Sequence, residues 1–401
     1  MISVDGNRMT FLLLNQTFYP DLSATGQYLT DLAVGLSARG HQVTVIAARR
    51  AYTDPKRKFP KQEFWKGIRI WRVASTGFGK RTKCGRMVDA LSFLFFCSLR
   101  VLISARPDIV VALTSPPLIS FLAAVFSRFR RCKFCYWVMD FNPDEAVAAG
   151  WLRQTSFTAQ VLLQISGFIL KHATKIIALD RFMRNRIIAR GGRPERTLVL
   201  PLWSQDTQVR FDPAGRERFR AKHGLERKFV VMYSGNHSAC HPLDSLVSAA
   251  ESLATEPDIC FCFVGGGSEW QRCRRSTPNM LFLPYQSMTG LSASLSAADL
   301  HVVLMGERFV GLVHPCKLYN LLTIGAPLLY IGPPQSHITE LLGSSAHRNW
   351  LLTARDGEVQ TIAQHIRNVH ALGASQVRHL SPRDCFAQSQ VVARLIEVLE
   401  V

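Results

Sequence analysis

The chain has 401 residues, 47% of them hydrophobic, with 26 Gly and no low-complexity tract or repeat, so it reads as a globular protein too long for one ordinary core, and about two domains are expected. Its net charge of +19 sits in one half: residues 1–200 carry 30 Lys and Arg against 12 Asp and Glu, and the remainder 18 against 17. Such a field suits nucleic acid, an anionic membrane face or a phosphorylated substrate, and with no helix-turn-helix, zinc-finger or RNA-stacking motif the expected partners do not include nucleic acid. Ten cysteines without a framework of spacings point to a reducing compartment.

Taken in chain order, the first apolar run, 11–14, is only strand length and leads into a polar turn, so no secretory signal is expected; Met9 reads as the edge of the fold, with residues 1–8 an extension. Residues 26–39 follow as an amphipathic helix with Leu29, Leu32, Ala33 and Leu36 on one face. Strands are expected at 41–48, 68–73, 109–113, 133–138, 175–178 and 197–200, alternating with helical patterns. A second series begins near 229–232 and continues through 259–264, 280–283, 300–304 and 327–331. Both series are βαβ, which implies parallel sheets covered by helices. The segment 201–222, with Pro, Gly and many charges, reads as the connection between two similar halves, and ligands in such sheets bind at the carboxyl ends of the strands. Cys132 and Cys135 border one strand and point to opposite faces, so they are expected to pack rather than share a metal; Cys260 and Cys262 face the same way in another.

Three segments, 87–105, 118–126 and 157–170, are more apolar than ordinary sheet-covering helices. The first has the length of a membrane span, but its internal charges and the strand after it fit an in-fold helix better. The basic cluster Arg128, Arg130, Arg131 beside these segments also fits insertion into one leaflet of an anionic membrane.

The most informative stretch is 305–327, MGERFVGLVHPCKLYNLLTIGAP: an apolar strand runs into a Gly-containing turn and then into a helix with Lys317 near its start. Unpaired amides at a helix start and its positive dipole end favour an anion, and a lysine adds a full charge. A second turn of this kind, 233–244, also follows an apolar strand and precedes a helix. Asp140, Asp144 and Glu145 follow another apolar strand, where one could take a hydroxyl proton, although Asp144 after Asn142-Pro143 also suits a helix cap.

Several motifs in order resemble the retaining glycosyltransferases of family 4, from about residue 9 to the end: Phe18-Tyr19-Pro20, the turn at Thr25-Gly26, LAVGLSARGHQVTVI, FVGGGSEW, NMLFLPY, ADLHVVL and KLYNLLTIGAPLL. TSPP (114–117) and DFNPDE (140–145) resemble the branch that builds bacterial surface polysaccharides. The resemblance implies an α/β GT-B architecture, two Rossmann-like domains facing a central cleft: 1–204 for acceptor and membrane, 205–381 for the nucleotide sugar, and a C-terminal helix within 382–401 packing back on the first domain. It departs from the family pattern at Asn236 and His241, where many members have Arg and Lys, and at Leu312 and Asn320, where two glutamates are usual; Pro315-Cys316-Lys317 stands where Pro-Ser-Lys is common.

Transfer from a nucleotide sugar must stabilise a departing diphosphate, and with no Asp-x-Asp motif to hold a metal, fixed cations and amides must do so. The expected donor site is therefore metal-free and needs no cofactor. Lys317 leads it, with the amides of Gly311, Leu312, Val313 and His314 and those around Gly235 and Asn236. Arg308 is a second cation, and Gly26, His241 and Asn320 are carried over by position. The expected activity is a metal-independent, retaining transfer of a sugar from a UDP- or GDP-linked donor to a lipid-linked or saccharide acceptor, by a cytoplasmic protein peripheral on the inner membrane face. A sugar-nucleotide epimerase of the same fold and a non-catalytic membrane-associated scaffold are the alternatives.

Overall fold

Runs such as 109–112 lack polar alternation, so both faces of their strands must be covered. A computed structural model describes residues 8–21, 23–51, 54, 56–78, 83–205, 208–274, 277–343, 351–373 and 386–401. Residues 1–7 of the expected extension, 206–207 of the expected connection and 382–385 of the expected C-terminal segment lie outside the described residues. The chain divides into two units, Met1–Pro201 with Ser389–Val401, and Leu202–Gln388.

The first unit runs β1 (Thr10–Leu14), α1 (Ala24–Ala38), β2 (Gln42–Ala48), β3 (Gln62–Trp65), β4 (Ile68–Val73), α2 (Lys83–Leu102), β5 (Ile109–Ala112), α3 (Ile119–Arg130), β6 (Lys133–Trp137), α4 (Asp144–Ala148), α5 (Phe157–His172), β7 (Lys175–Ala178), α6 (Arg181–Ala189) and β8 (Thr197–Val199). Its sheet has the order β3-β4-β2-β1-β5-β6-β7-β8. Every pairing is parallel except β3 with β4, an antiparallel edge that the sequence patterns do not announce. From β1 the chain builds outward through β2 to β4 and then returns to β5 on the other side of β1. That reversal creates a crevice beyond the carboxyl ends of β1 and β5.

The second unit repeats the plan: α7 (Pro213–His223), β9 (Phe229–Asn236), α8 (Asp244–Ser252), β10 (Ile259–Gly266), α9 (Trp270–Cys273), β11 (Met280–Leu283), α10 (Met288–Ser296), β12 (Leu300–Leu304), α11 (Lys317–Ile324), β13 (Leu328–Ile331), α12 (His337–Leu342), β14 (Leu351–Ala354) and α13 (Val359–Leu372). Its strands, in the order β11-β10-β9-β12-β13-β14, are all parallel, and the reversal falls between β9 and β12. The period of two sorts side chains into two cores. Phe229, Val231 and Tyr233 join one with Ile259, Phe261 and Phe263, while Val230 and Met232 join the other with Cys260, Cys262 and Val264.

The segment expected as a connection contains α7, which is bolted to the sheet. Asp299, buried, accepts from Val230 N at 2.8 Å and pairs with Arg220 at 3.2 Å and with Arg216, which also donates to the carbonyls of Ser296 and Ala298. Two buried guanidiniums around one carboxylate satisfy charges that would be destabilising alone.

The last helix, α14 (Gln388–Glu400), packs on the first unit. Its Val392 and Ile396 press so closely on α1 that a Cβ at Gly35 would lie 2.8 and 2.9 Å from them. Glu400 takes Arg39 at 3.0 Å and His41 at 2.8 Å. Among the described residues no helix is long and apolar enough to cross a membrane, so the span considered for 87–105 is not one.

Candidate functional site

In the second unit the strands β9 and β10 run further than the apolar pattern predicts, because glycines carry the pairing past the hydrophobic residues: Gly235 opposes Gly265, and Asn236 opposes Gly266. Gly235, Gly265 and Gly267 have φ of 142°, 135° and 148°, a region that disfavours side chains. A Cβ on Gly265 would lie 2.0 Å from Gly235 O, and one on Gly267 2.2 Å from His237 O. The result is a floor of bare backbone at the carboxyl ends of the strands. Beside it, at the reversal of strand order, His241 Nδ1 donates to Leu304 O at 2.8 Å and Gly306 N to Cys240 O at 3.0 Å, tying the loop after β9 to the loop after β12.

Lys317 opens α11 over this floor. Its residue surface is half-buried, but its ammonium is fully covered, stands 3.8 Å from the centre of the Tyr233 ring, and has no hydrogen-bond acceptor among the described residues. A Cβ on Gly235 would come within 3.3 Å of Nζ. Burial pulls the Lys317 ammonium down to about 7. Two imidazoles flank it. His237, which the sequence reading did not nominate, is lowered to about 4 and His241 to about 3, each by burial first and then by the charge of Lys317. His237 Nδ1 donates to Gly235 O at 3.1 Å, which leaves Nε2 as a buried acceptor without a partner among the described residues. The arrangement is one cation and neutral imidazole acceptors around a glycine floor, suited to an anion bearing hydroxyl groups.

The other nominated residues sort themselves. Leu312 and Val313 donate their amides to Phe309 O at 2.9 and 3.2 Å, so two of the four expected cradle amides are engaged within their own turn. Gly311 is buried with φ of 73°, which lets the turn close. His314 is buried, bonded through Nε2 to Tyr319 Oη at 2.9 Å and stacked on His337 at 4.2 Å. Asn320 Oδ1 accepts Gln205 N at 3.0 Å and so holds the start of this unit. Arg308 is exposed on a single 3-10 turn, Glu307–Phe309. Gly26 lies in the first unit, in the first turn of α1, where its amide donates to the cap Ser23 and a Cβ would lie 3.1 Å from Thr17 Oγ1.

The three carboxylates after β6 have separate environments. Asp144 pairs with Arg190, with Nε at 2.9 Å. It is the first residue of α4 rather than its cap, because Pro143 occupies that position and supplies no side-chain bond. Glu145 accepts from Asn142 Nδ2 at 3.0 Å, and burial, reinforced by the charge of Asp140, pushes it up to about 8. Asp140 is half-buried, with its amide 3.4 Å from Thr114 Oγ1. Cys135 sits in the core with its thiol raised to about 12 by burial, as a packing cysteine would.

Residues 23–203 match the model of the glycosyl transferase 4-like domain. A protein of Escherichia coli K12 named as a colanic acid biosynthesis glycosyl transferase, WcaI, is 24% identical over 79% of this chain and 82% of its own. The solved structure of HepE of Anabaena in complex with UDP and glucose superposes with a TM-score of 0.67 at 17% identity, covering 98% of this chain and 99% of that one. That of WaaG, a glycosyltransferase involved in lipopolysaccharide biosynthesis, does so with 0.65 at 16%, covering 97% and 99%. The chain is a glycosyltransferase, and its two parallel-sheet units are those of the GT-B fold. Its curated relatives and structural neighbours include enzymes of polysaccharide and lipopolysaccharide biosynthesis.

Proposed function

We propose that the protein moves a sugar, with retention at the anomeric carbon, from a UDP- or GDP-linked donor to a lipid-linked or saccharide acceptor in cell-surface polysaccharide synthesis. The observation that carries this is Lys317: a covered ammonium without an acceptor among the described residues, at the strand-order reversal, over a floor of glycine backbone. A buried cation lacking an anion is unfavourable, and a diphosphate supplies one. That HepE holds UDP and glucose within the same fold supports a nucleotide-sugar donor here.

In the transfer, the bond from the sugar C1 to the diphosphate oxygen breaks and its electron pair stays with the diphosphate. The acceptor oxygen forms the new bond to C1 on the same face. The hydroxyl proton leaves to the diphosphate or to Asp140. Asp140 is the better base of the three carboxylates, because Glu145, raised to about 8, holds its proton at neutral pH and Asp144 is tied to Arg190. Lys317 and backbone dipoles take up the charge of the leaving group, so transfer proceeds in a chelator without added metal.

A cytoplasmic place on the inner membrane face is supported by the first unit's charge and by α2, whose outer face exposes Met87, Leu91, Phe95, Leu99 and Leu102. Arg128 and Arg131 are exposed on and beside α3. Arg130 is otherwise employed: it donates to Leu102 O at 2.7 Å and Ser104 O at 3.2 Å, which closes the end of α2.

The experiment is a thermal-shift panel of UDP- and GDP-sugars followed by transfer assays with the best ligand. A donor at about 100 times its dissociation constant adds about 2.7 kcal/mol of stability. Lys317→Ala should abolish the shift. No shift with any nucleotide sugar, or an unchanged one in the folded variant, would overturn the reading.

A further inference from the structure

Tyr233 closes the apolar part of β9, opposite Phe263 of β10, and is 1% exposed. A tyrosine this deep in a core must place its hydroxyl, and here Oη donates to Asn236 O at 2.7 Å, three residues further along the same strand. The ring is thereby fixed at both ends, with the His237 imidazole edge-on to it at 5.0 Å. Burial raises the hydroxyl well above its ordinary value of 10, so the ring is that of a neutral phenol and not of a phenolate.

Lys317 comes down onto the face of that ring. Its ammonium stands 3.8 Å from the ring centre, and its stem passes Gly235 so closely that a Cβ there would lie 3.6 Å from both Cδ and Cε. Among the described residues no hydrogen-bond acceptor meets the ammonium. The titratable groups around it are His237 and His241 in the loop after β9 and Cys316, the residue before it; the two imidazoles, lowered to about 4 and about 3, carry no charge near neutral pH. What the charge rests on is therefore a π face, whose quadrupole attracts a cation and does so most strongly where water is excluded. A carboxylate in the same place would hold the lysine more firmly, but it would cancel the charge and compete with a phosphate for it. A ring leaves both the net charge and the N–H donors of the ammonium to an incoming anion.

We propose that Tyr233 is a positioning residue of the donor site: its ring holds the Lys317 side chain across the glycine floor and favours the ammonium without neutralising it. The inference rests on the reading that Lys317 meets the donor diphosphate. Tyr233 touches no substrate and acts only through the lysine. Because the ring opposes the burial that lowers Lys317, losing it lets the free amine form at a lower pH. A desolvated cation–π contact corresponds to roughly tenfold in that equilibrium, or about one pH unit.

The test is calorimetric titration of UDP and of GDP into the full chain between about pH 5 and pH 9, with thermal melts to confirm folding. The proteins are the wild type, Tyr233→Leu, Tyr233→Phe and Lys317→Met. The ratio of dissociation constants, Tyr233→Leu over wild type, should rise from near 1 at about pH 5 to about tenfold at about pH 8, and the proton of the nucleotide cancels from it. Tyr233→Phe keeps the ring and should restore the wild-type pH profile. If Tyr233→Leu does not fold, pentafluorophenylalanine in place of Tyr233 keeps the shape, reverses the quadrupole and should give the same pH-dependent loss. A ratio that is constant with pH means that the ring only packs, and a fluorinated ring that behaves like Tyr233→Phe means that its charge distribution is idle; either overturns the proposal. Lys317→Met that binds nucleotide as the wild type does at every pH overturns the donor reading and this inference with it. Lys317→Met that loses binding while Tyr233→Leu follows the wild-type profile overturns this inference alone.

Discussion

If Lys317 meets the donor diphosphate as an ammonium, nucleotide affinity must fall with rising pH in a range where ordinary lysines stay charged. Burial lowers Lys317 from 10.5 to about 7, so above pH 7 the amine has to gain a proton on binding. The dissociation constant of UDP then rises about tenfold, or about 1.4 kcal/mol, per pH unit between 7 and the higher value the anion restores. Restoring the full 10.5 gives a ceiling of about 5 kcal/mol at about 1.36 kcal/mol per unit. Below about pH 6 the terminal phosphate gains its own proton, so binding should be tightest near pH 6–7. The sign for stability is the opposite. A depressed folded-state value means that the nucleotide-free protein loses stability as pH falls from about 10 through 7, so Lys317→Met, which keeps a stem over Tyr233, should melt higher than the wild type at pH 6–7, with the gain fading toward pH 10. Calorimetric titration of UDP at pH 6, 7, 8 and 9 into both proteins checks this. Equal affinities for both, flat across that range, would refute the assignment.

Glu145→Gln should leave stability near pH 4 unchanged and raise it progressively above the wild type up to about pH 8, since a raised carboxyl loses its contribution as pH climbs toward its folded value; thermal melts against pH read this directly. Asp299→Asn leaves Arg216 and Arg220 buried without their carboxylate and should cost about 3–5 kcal/mol in urea unfolding; a loss under 1 kcal/mol would show that the pair is not structural. Leu91→Glu with Phe95→Glu should reduce co-sedimentation with anionic vesicles at both low and high salt, whereas Arg128→Gln with Arg131→Gln should reduce it only at low salt; equal binding by all proteins would mean that this face meets something other than a bilayer. Transfer should persist in EDTA, and loss of activity restored by Mn²⁺ would overturn the charge-based account of the leaving group.

The parallel sheets were legible in the sequence because a strand buried on both faces is a continuous apolar run, and 109–112 or 300–304 can be little else. The place of Lys317 at a helix start was legible for the same local reason, a strand ending in a Gly turn. Local pattern fails where apolar residues stop but pairing continues: β9 and β10 extend through glycines, so the segment from Tyr233 to Asn236 reads as turn although it is strand. It fails again at α7, whose polar composition reads as a linker while two of its arginines are buried on Asp299, a residue 79 positions from Arg220. Only tertiary structure decided the charge states. Lys317, His237 and Glu145 are ordinary letters in the sequence; burial shifts all three, and the charge of Lys317 adds to it at His237 and that of Asp140 at Glu145. The sequence alone determines which groups can titrate, whereas desolvation depends on what the whole chain packs around each of them.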